Sequence, residues 1–217
     1  MKREIAMTFS ATVMSVALLL PGSVLAQNNQ SDPAAQTAQD QAGQALAQQM
    51  VGARVALKED LNAAKVKPGD QVRTTLAHKI LLKNGTELPA GTVILGVIST
   101  DDMQQSGTSK LALNFDRAQL KDGTIVPIKA TMLGVYPPES EDASGRPVAP
   151  GDQETGDWAN HPLAVNQVDA LPGVDLHSRI AGNNSGVLVS SKRDVKLHWG
   201  SEISLAIAPQ AAVTAGE

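Results

Sequence analysis

Leu82-Lys-Asn-Gly-Thr-Glu-Leu-Pro89 and Leu120-Lys-Asp-Gly-Thr-Ile-Val-Pro127 are two versions of one phrase, each set between runs of alternating apolar residues. Asn-Gly and Asp-Gly supply the two positive-φ positions of a type I′ turn, the connection that matches the twist of antiparallel strands. The chain is therefore expected to make β-hairpins. The period does not recur a third time, which points to similar hairpins within one domain and not to a solenoid.

Upstream of the first phrase, Lys67-Pro-Gly-Asp70 is a turn cluster at which order is expected to begin. Beyond it Val72, Thr74, Leu76, His78, Ile80 and Leu82 fall on one face of a strand, with Arg73, Thr75, Lys79 and Lys83 on the other. Pro89-Ala-Gly91 then bends the chain into residues 92–99, a β-branched run suited to a strand buried on both faces. Leu111, Leu113 and Phe115 alternate with Asn114 and Asp116, and after the second phrase a strand runs from Thr124 to about Val135. Further strands are expected over 174–180 and 187–189. A last pair, Val195-Leu197-Trp199 and Ile203-Leu205-Ile207, would join across Gly200-Ser201. Short strands with turn signals about every ten residues give an all-β fold, a small antiparallel barrel or sandwich with the barrel preferred.

Both ends of the chain read differently. Residues 1–26 have the layout of a signal peptide, with Lys2 and Arg3, an apolar stretch ending Val16-Ala-Leu-Leu-Leu20, a breaker at Pro21-Gly22 and small residues up to Ala26. Cleavage would leave Gln27 first and no membrane span. Residues 27–65 are expected to be a disordered Gln/Ala-rich tether with at most a short helix within 44–62, since large apolar residues are sparse there. The single β-domain is placed at 66–209, interrupted by a long Pro-rich acidic loop at 137–165, and 210–217 is expected to be a disordered tail.

Removing Lys2, Arg3 and Glu4 from the 18 basic and 22 acidic residues leaves 16 and 21, a net charge of −5. That balance, without a dense Lys/Arg run, argues against nucleic acid as a partner. Four aromatics remain after residue 26, too few for a base-stacking platform or for the aromatic girdles of an outer-membrane barrel. Cysteine is absent, so no thiol chemistry and no disulfides are available, and stability must come from the core.

Two strand faces concentrate polar groups: Asp175, His177 and Arg179 opposite Val174 and Leu176, and Asp194, Lys196 and His198 opposite Val195 and Leu197. Same-face neighbours lie about 7 Å apart along a strand, so the six would form one binding face if the strands were adjacent. A solvated outer face with cross-strand ion pairs is the commoner use of such a pattern. His78 lacks a second ligand at metal spacing and reads as a core or rim residue. Asp152, Glu154 and Asp157 lack the turn glycine and closing glutamate of an EF-hand loop, so no metal and no cofactor is expected. Trp158, alone in the acidic loop, is expected to fold back onto the barrel. Ser185 in Gly182-Asn-Asn-Ser-Gly186 sits one residue off a nucleophile elbow and reads as part of a turn. Asn84-Gly-Thr86 and Asn183-Asn-Ser185 match glycosylation sequons made of ordinary turn residues.

Val66-Lys-Pro-Gly-Asp-Gln-Val72, Leu88-Pro-Ala-Gly-Thr-Val-Ile-Leu-Gly96 and Trp199-Gly-Ser-Glu-Ile-Ser204 resemble the C-terminal β-barrel of TrbI-type scaffold proteins of conjugation and type IV secretion channels. The resemblance implies a barrel entered through an early turn, with Gly-Thr/Ser steps ahead of its strands. Here the expected cleavable signal stands in place of the membrane helix of those proteins, and a helical pore insert is not evident. The expected function is that of an exported, non-enzymatic, periplasmic or secreted barrel. It would be a structural or partner-binding component of the bacterial cell envelope, with an envelope protein or glycan as partner. The alternative is a small-ligand protein or hydrolase with its site around His177 and His198.

Overall fold

The computed structural model describes residues 33–138 and 164–210. Among the described residues one helix, α1 (Pro33–Gln48), precedes thirteen strands. These are β1 (Val51–Leu57), β2 (Leu61–Asn62), β3 (Gln71–Leu76), β4 (Ile80–Leu81), β5 (Glu87–Leu88), β6 (Val93–Ser99) and β7 (Ser109–Gln119). They continue with β8 (Ile125–Tyr136), β9 (Ala164–Leu171), β10 (Val174–Arg179), β11 (Gly186–Ser190), β12 (Lys196–Leu197) and β13 (Glu202–Pro209).

Six strands close on themselves in the order β1-β13-β8-β7-β6-β3, every pair antiparallel, with β3 returning to β1. This is the barrel expected from the turns. Inside it lie Val55, Leu57, Val72, Leu76, Ile94, Leu113, Phe115, Ile128, Met132, Leu205 and Ile207, all essentially without solvent contact. Each such side chain contributes about 1.5–3 kcal/mol by leaving water. β6 is alternately buried and half-buried, not buried on both faces, because a barrel wall has an inside and an outside.

Both copies of the quoted phrase do reverse the chain, by a different turn from the one expected. Gly85 N–H donates to Leu82 C=O and Leu82 N–H to Thr86 C=O, and the same pair of bonds links Gly123, Leu120 and Thr124. Gly85 (φ 85°) and Gly123 (φ 88°) are left-handed, whereas Asn84 and Asp122 are not. These are three-residue loops, a type I turn followed by a left-handed glycine, and not type I′ turns. The Asn84 and Asp122 carboxamide and carboxylate oxygens instead accept the amides of Thr86 and Thr124 at 3.0 and 2.9 Å. The first loop joins the small β4–β5 ribbon and the second joins β7 to β8.

β7 and β8 pair only from Arg117↔Pro127 to Gln119↔Ile125 and then part. β11 takes up the edge of β7 that β8 leaves, and β10 and β9 extend that wall. In the opening, buried Ser185 binds both sides. Its amide donates to Leu113 C=O, its carbonyl accepts from Met132 N–H, and its hydroxyl accepts the Phe115 amide at 2.8 Å. Ser178 Oγ donates to the Met132 carbonyl at 2.6 Å. Backbone groups that a continuous ladder would pair are thus satisfied from the inserted turn.

The ordered domain begins well before residue 66. Residues 27–32 of the expected tether lie outside the described residues, but α1 and β1 occupy the segment after them. Val51, Ala53, Val55 and Leu57 alternate, and pairing with β13 and β3 fixes this Ala-rich stretch as a central barrel strand. Tertiary pairing here outweighs the helix propensity of alanine. Ala47 and Met50, at and just past the end of α1, pack with Ile180 on Ala206 and Ala208, the outward side chains of β13.

Three further expectations change. β3 ends at Leu76, so His78 lies in an exposed bend and shares no apolar face. β12 pairs with β2, not with β13, and Trp199 is 65% exposed instead of continuing the buried row of Val195 and Leu197. Part of the stretch given to the 137–165 loop is β9. Residues 1–26, expected to be a signal peptide, residues 139–163 with Asp152, Glu154, Asp157 and Trp158, and residues 211–217, expected to be a tail, lie outside the described residues.

Candidate functional site

β10 turns Val174, Leu176 and Ser178 inward and Asp175, His177 and Arg179 outward, as alternation requires. The outward three have local work. Asp175 accepts the amide of Asp169, a left-handed residue (φ 52°) whose own carboxylate accepts the Gly173 amide, so both acids hold the β9–β10 turn. His177 Nδ1 lies 2.8 Å from Asn166 Oδ1 on β9. Arg179 is exposed opposite Ala164.

Asp194, Lys196 and His198 belong to a different place. β10 pairs with β9 and β11, whereas β12 pairs with β2, so the six polar residues do not form one sheet face. The second trio lines a cleft of about 480 Å³, with Pro137 and Pro138 after β8, Leu171, Pro172 and Val174 from the β9–β10 turn, Arg193 and Ser201. Of β10, only Val174 reaches it; His177 stands three residues farther on, roughly 10 Å along the strand.

The cleft's rim is a tied-down turn. Ser201 N–H donates to His198 C=O across Trp199-Gly200, and Gly200 adopts φ 79° at the third position, as a type II turn demands. Gly200 N–H donates to Leu57 C=O and Leu57 N–H to Ser201 C=O, which fastens the turn to β1. Asp60 Oδ1 accepts the Trp199 amide at 2.6 Å and lies 3.9 Å from His198 Nδ1. An indole that is 65% exposed is therefore presented between two cleft-lining residues on immobilised backbone. Arg193 donates from its guanidinium to Pro172 C=O, linking the segment before β12 to the β9–β10 turn.

No family model and no curated protein matches this chain.

A second hollow, about 400 Å³, lies between Asn114, Asp116, Arg117, Pro127, Lys129 and Gln210. Its charges are spent internally. Arg117 Nε is 2.9 Å from Asp116 Oδ1, and Lys129 Nζ donates to Gly182 C=O. Burial pushes the Lys129 ammonium below its usual pKa, with Asp102 opposing the shift. Among the described residues no three His, Asp or Glu side chains are grouped as a metal ion would require, and no helix is long and apolar enough to cross a membrane.

Sequence reasoning found Asp194, Lys196 and His198 but missed their companions Arg193, Ser201 and the Leu171-Pro172-Gly173-Val174 turn. Pro172-Gly173 is a turn signal that marks where β9 meets β10. Gly200 beside Trp199 is the signal that the alternating row stops before the tryptophan.

Proposed function

We propose that this protein is exported and acts as a non-enzymatic β-barrel of the bacterial cell envelope, a structural or partner-binding component located in the periplasm or outside the cell. The observation that carries the reading is Trp199, exposed on a backbone fixed to both β1 and Asp60 and flanked by residues that line a cleft. A large aromatic on a fixed backbone has few torsions left to order when it binds, which is why such residues dominate recognition sites. The signal-like residues 1–26 supply the argument for export, and the resemblance to TrbI-type barrels supports a place in an envelope assembly.

The hydrolase alternative needs His177 and His198 at one centre. They have different partners, Asn166 and Asp60, and only His198 lines the cleft. The decisive experiment expresses the full chain with a C-terminal tag in a Gram-negative host, fractionates the cells and captures partners from the envelope. Recovery from the periplasm or medium with Gln27 as the first residue, together with a partner lost on Trp199→Ala, is the expected result. Retention in the cytoplasm with an intact Met1 overturns the export reading; a partner captured equally by Trp199→Ala overturns the assigned surface.

A further inference from the structure

We infer that the cleft bordered by His198 and Ser201 is a binding site for a short saccharide bearing carboxylate groups. This rests on the partner-binding reading above and gives it a ligand chemistry.

Size comes first: about 480 Å³ lies within the range of small-molecule sites. Composition comes next. Leu171, Pro172 and Val174 supply an apolar wall, and Asp194, Lys196 and Ser201 supply one acceptor, one cationic donor and one hydroxyl. A sugar ring asks for this mixture, because its C–H faces are apolar and its edge is a ring of hydroxyls that both donate and accept. Trp199 is not itself a lining residue; it stands exposed between His198 and Ser201, which are, so its indole is placed next to any ring held there.

Charge selects among saccharides. Lys196 and Arg193 outnumber Asp194 within the lining, so an anionic ligand is favoured over a neutral one. Arg193 is already anchored to the Pro172 carbonyl, so its guanidinium is positioned before any ligand arrives. Carboxylates on either a cell-wall amino sugar or a uronic acid would meet that pair with charge-assisted hydrogen bonds.

The test uses Trp158→Phe protein, in which Trp199 is the sole indole, and follows its emission during titration with four probes. These are a disaccharide containing N-acetylmuramic acid, trigalacturonate, neutral chitotriose and pentaglutamate. At least one acidic saccharide should bind at least tenfold more tightly than chitotriose, weaken as salt rises, and lose roughly tenfold in affinity with Lys196→Met. Trp199→Ala, read by calorimetry with circular dichroism to confirm the fold, should weaken binding. Preference for the muramic probe would place the ligand in the cell wall, and preference for trigalacturonate in an acidic polysaccharide. Equal affinity for chitotriose, indifference to Lys196→Met, or tightest binding of pentaglutamate overturns the inference, the last in favour of an acidic peptide. Capture of an envelope protein without saccharide binding would leave the broader reading standing and remove this one.

Discussion

The Ser185 hydroxyl accepts the backbone amide of Phe115 at 2.8 Å, and neither residue has measurable exposure to solvent. That bond crosses the place where β8 has left β7, so a side chain stands in for a missing strand. The strain of ending a ladder inside a closed barrel is met by one serine from the β10–β11 turn, whose backbone pairs with Leu113 and Met132 as well.

Ser185→Ala keeps the two backbone bonds and strands the Phe115 amide. A buried donor without a partner costs about 1–3 kcal/mol, and the melting temperature should fall by several degrees. Thermal unfolding of wild type and variant measures it; an unchanged midpoint would mean that the seam is wet.

Two glycine substitutions should fail for opposite reasons. A Cβ on Gly96 would sit 2.6 Å from both the Asn114 carbonyl oxygen and Phe115 Cδ1, so Gly96→Ala must push β6 off β7 at its bulge, at about 1–3 kcal/mol. Gly123→Ala meets nothing within 4 Å but inherits φ 88°, worth about 1–2 kcal/mol. Asparagine tolerates the left-handed region, so Gly123→Asn should recover most of the loss and Gly96→Asn none. Urea midpoints of the four variants decide between space and backbone angle.

The Asp122 carboxyl is held below its ordinary pKa, first by the Thr124 amide and then by the Thr124 hydroxyl. A lowered folded value means that this contribution to stability is fully present above the unfolded Asp value and is lost as pH falls through the folded one. Asp122→Asn copies the Asn84 loop and should remove that part of the acid dependence. Carboxyl-carbon NMR should show Asp122 titrating below the usual aspartate value, with the Thr124 amide shift following the same curve.

Starting the chain at Lys67, where the first turn cluster invites a boundary, should prevent folding. It deletes β1 and so leaves β3 and β13 with bare edges and the barrel open. Starting at Pro33 should give a folded protein. Within that longer form, Met50→Ala should cost about 2–5 kcal/mol, since Met50 is 1% exposed against Ala206 and Ala208. Amide NMR spectra and denaturant curves separate these outcomes.

Turn chemistry is what made the barrel legible. The pairs Asn84-Gly85 and Asp122-Gly123 mark reversals whatever the turn type, and Val72, Ile94, Leu113 and Leu205 show the period of two that a one-sided wall needs. β1 was hidden because its inward residues Ala53 and Val55 are small and its neighbours Gly52 and Ala56 give little contrast between faces. Only the partner strands, more than a hundred residues away for β13, decide that segment. The candidate site was half legible for a similar reason. Asp194, Lys196 and His198 alternate locally, whereas the wall facing them arrives from the β9–β10 turn and from Pro137-Pro138, and no local pattern announces which distant turns will meet.

The neighbourhood of β1 and β13 sets an order of events during synthesis. Val51 stands opposite Ile207, so the first and last strands of the barrel are partners across almost the whole domain. Until residues 202–209 have left the ribosome, β1 and β8 each hold out an unpaired edge, and the cylinder cannot shut. Closing the barrel therefore joins segments far apart in the chain, the kind of non-local pairing that slows folding.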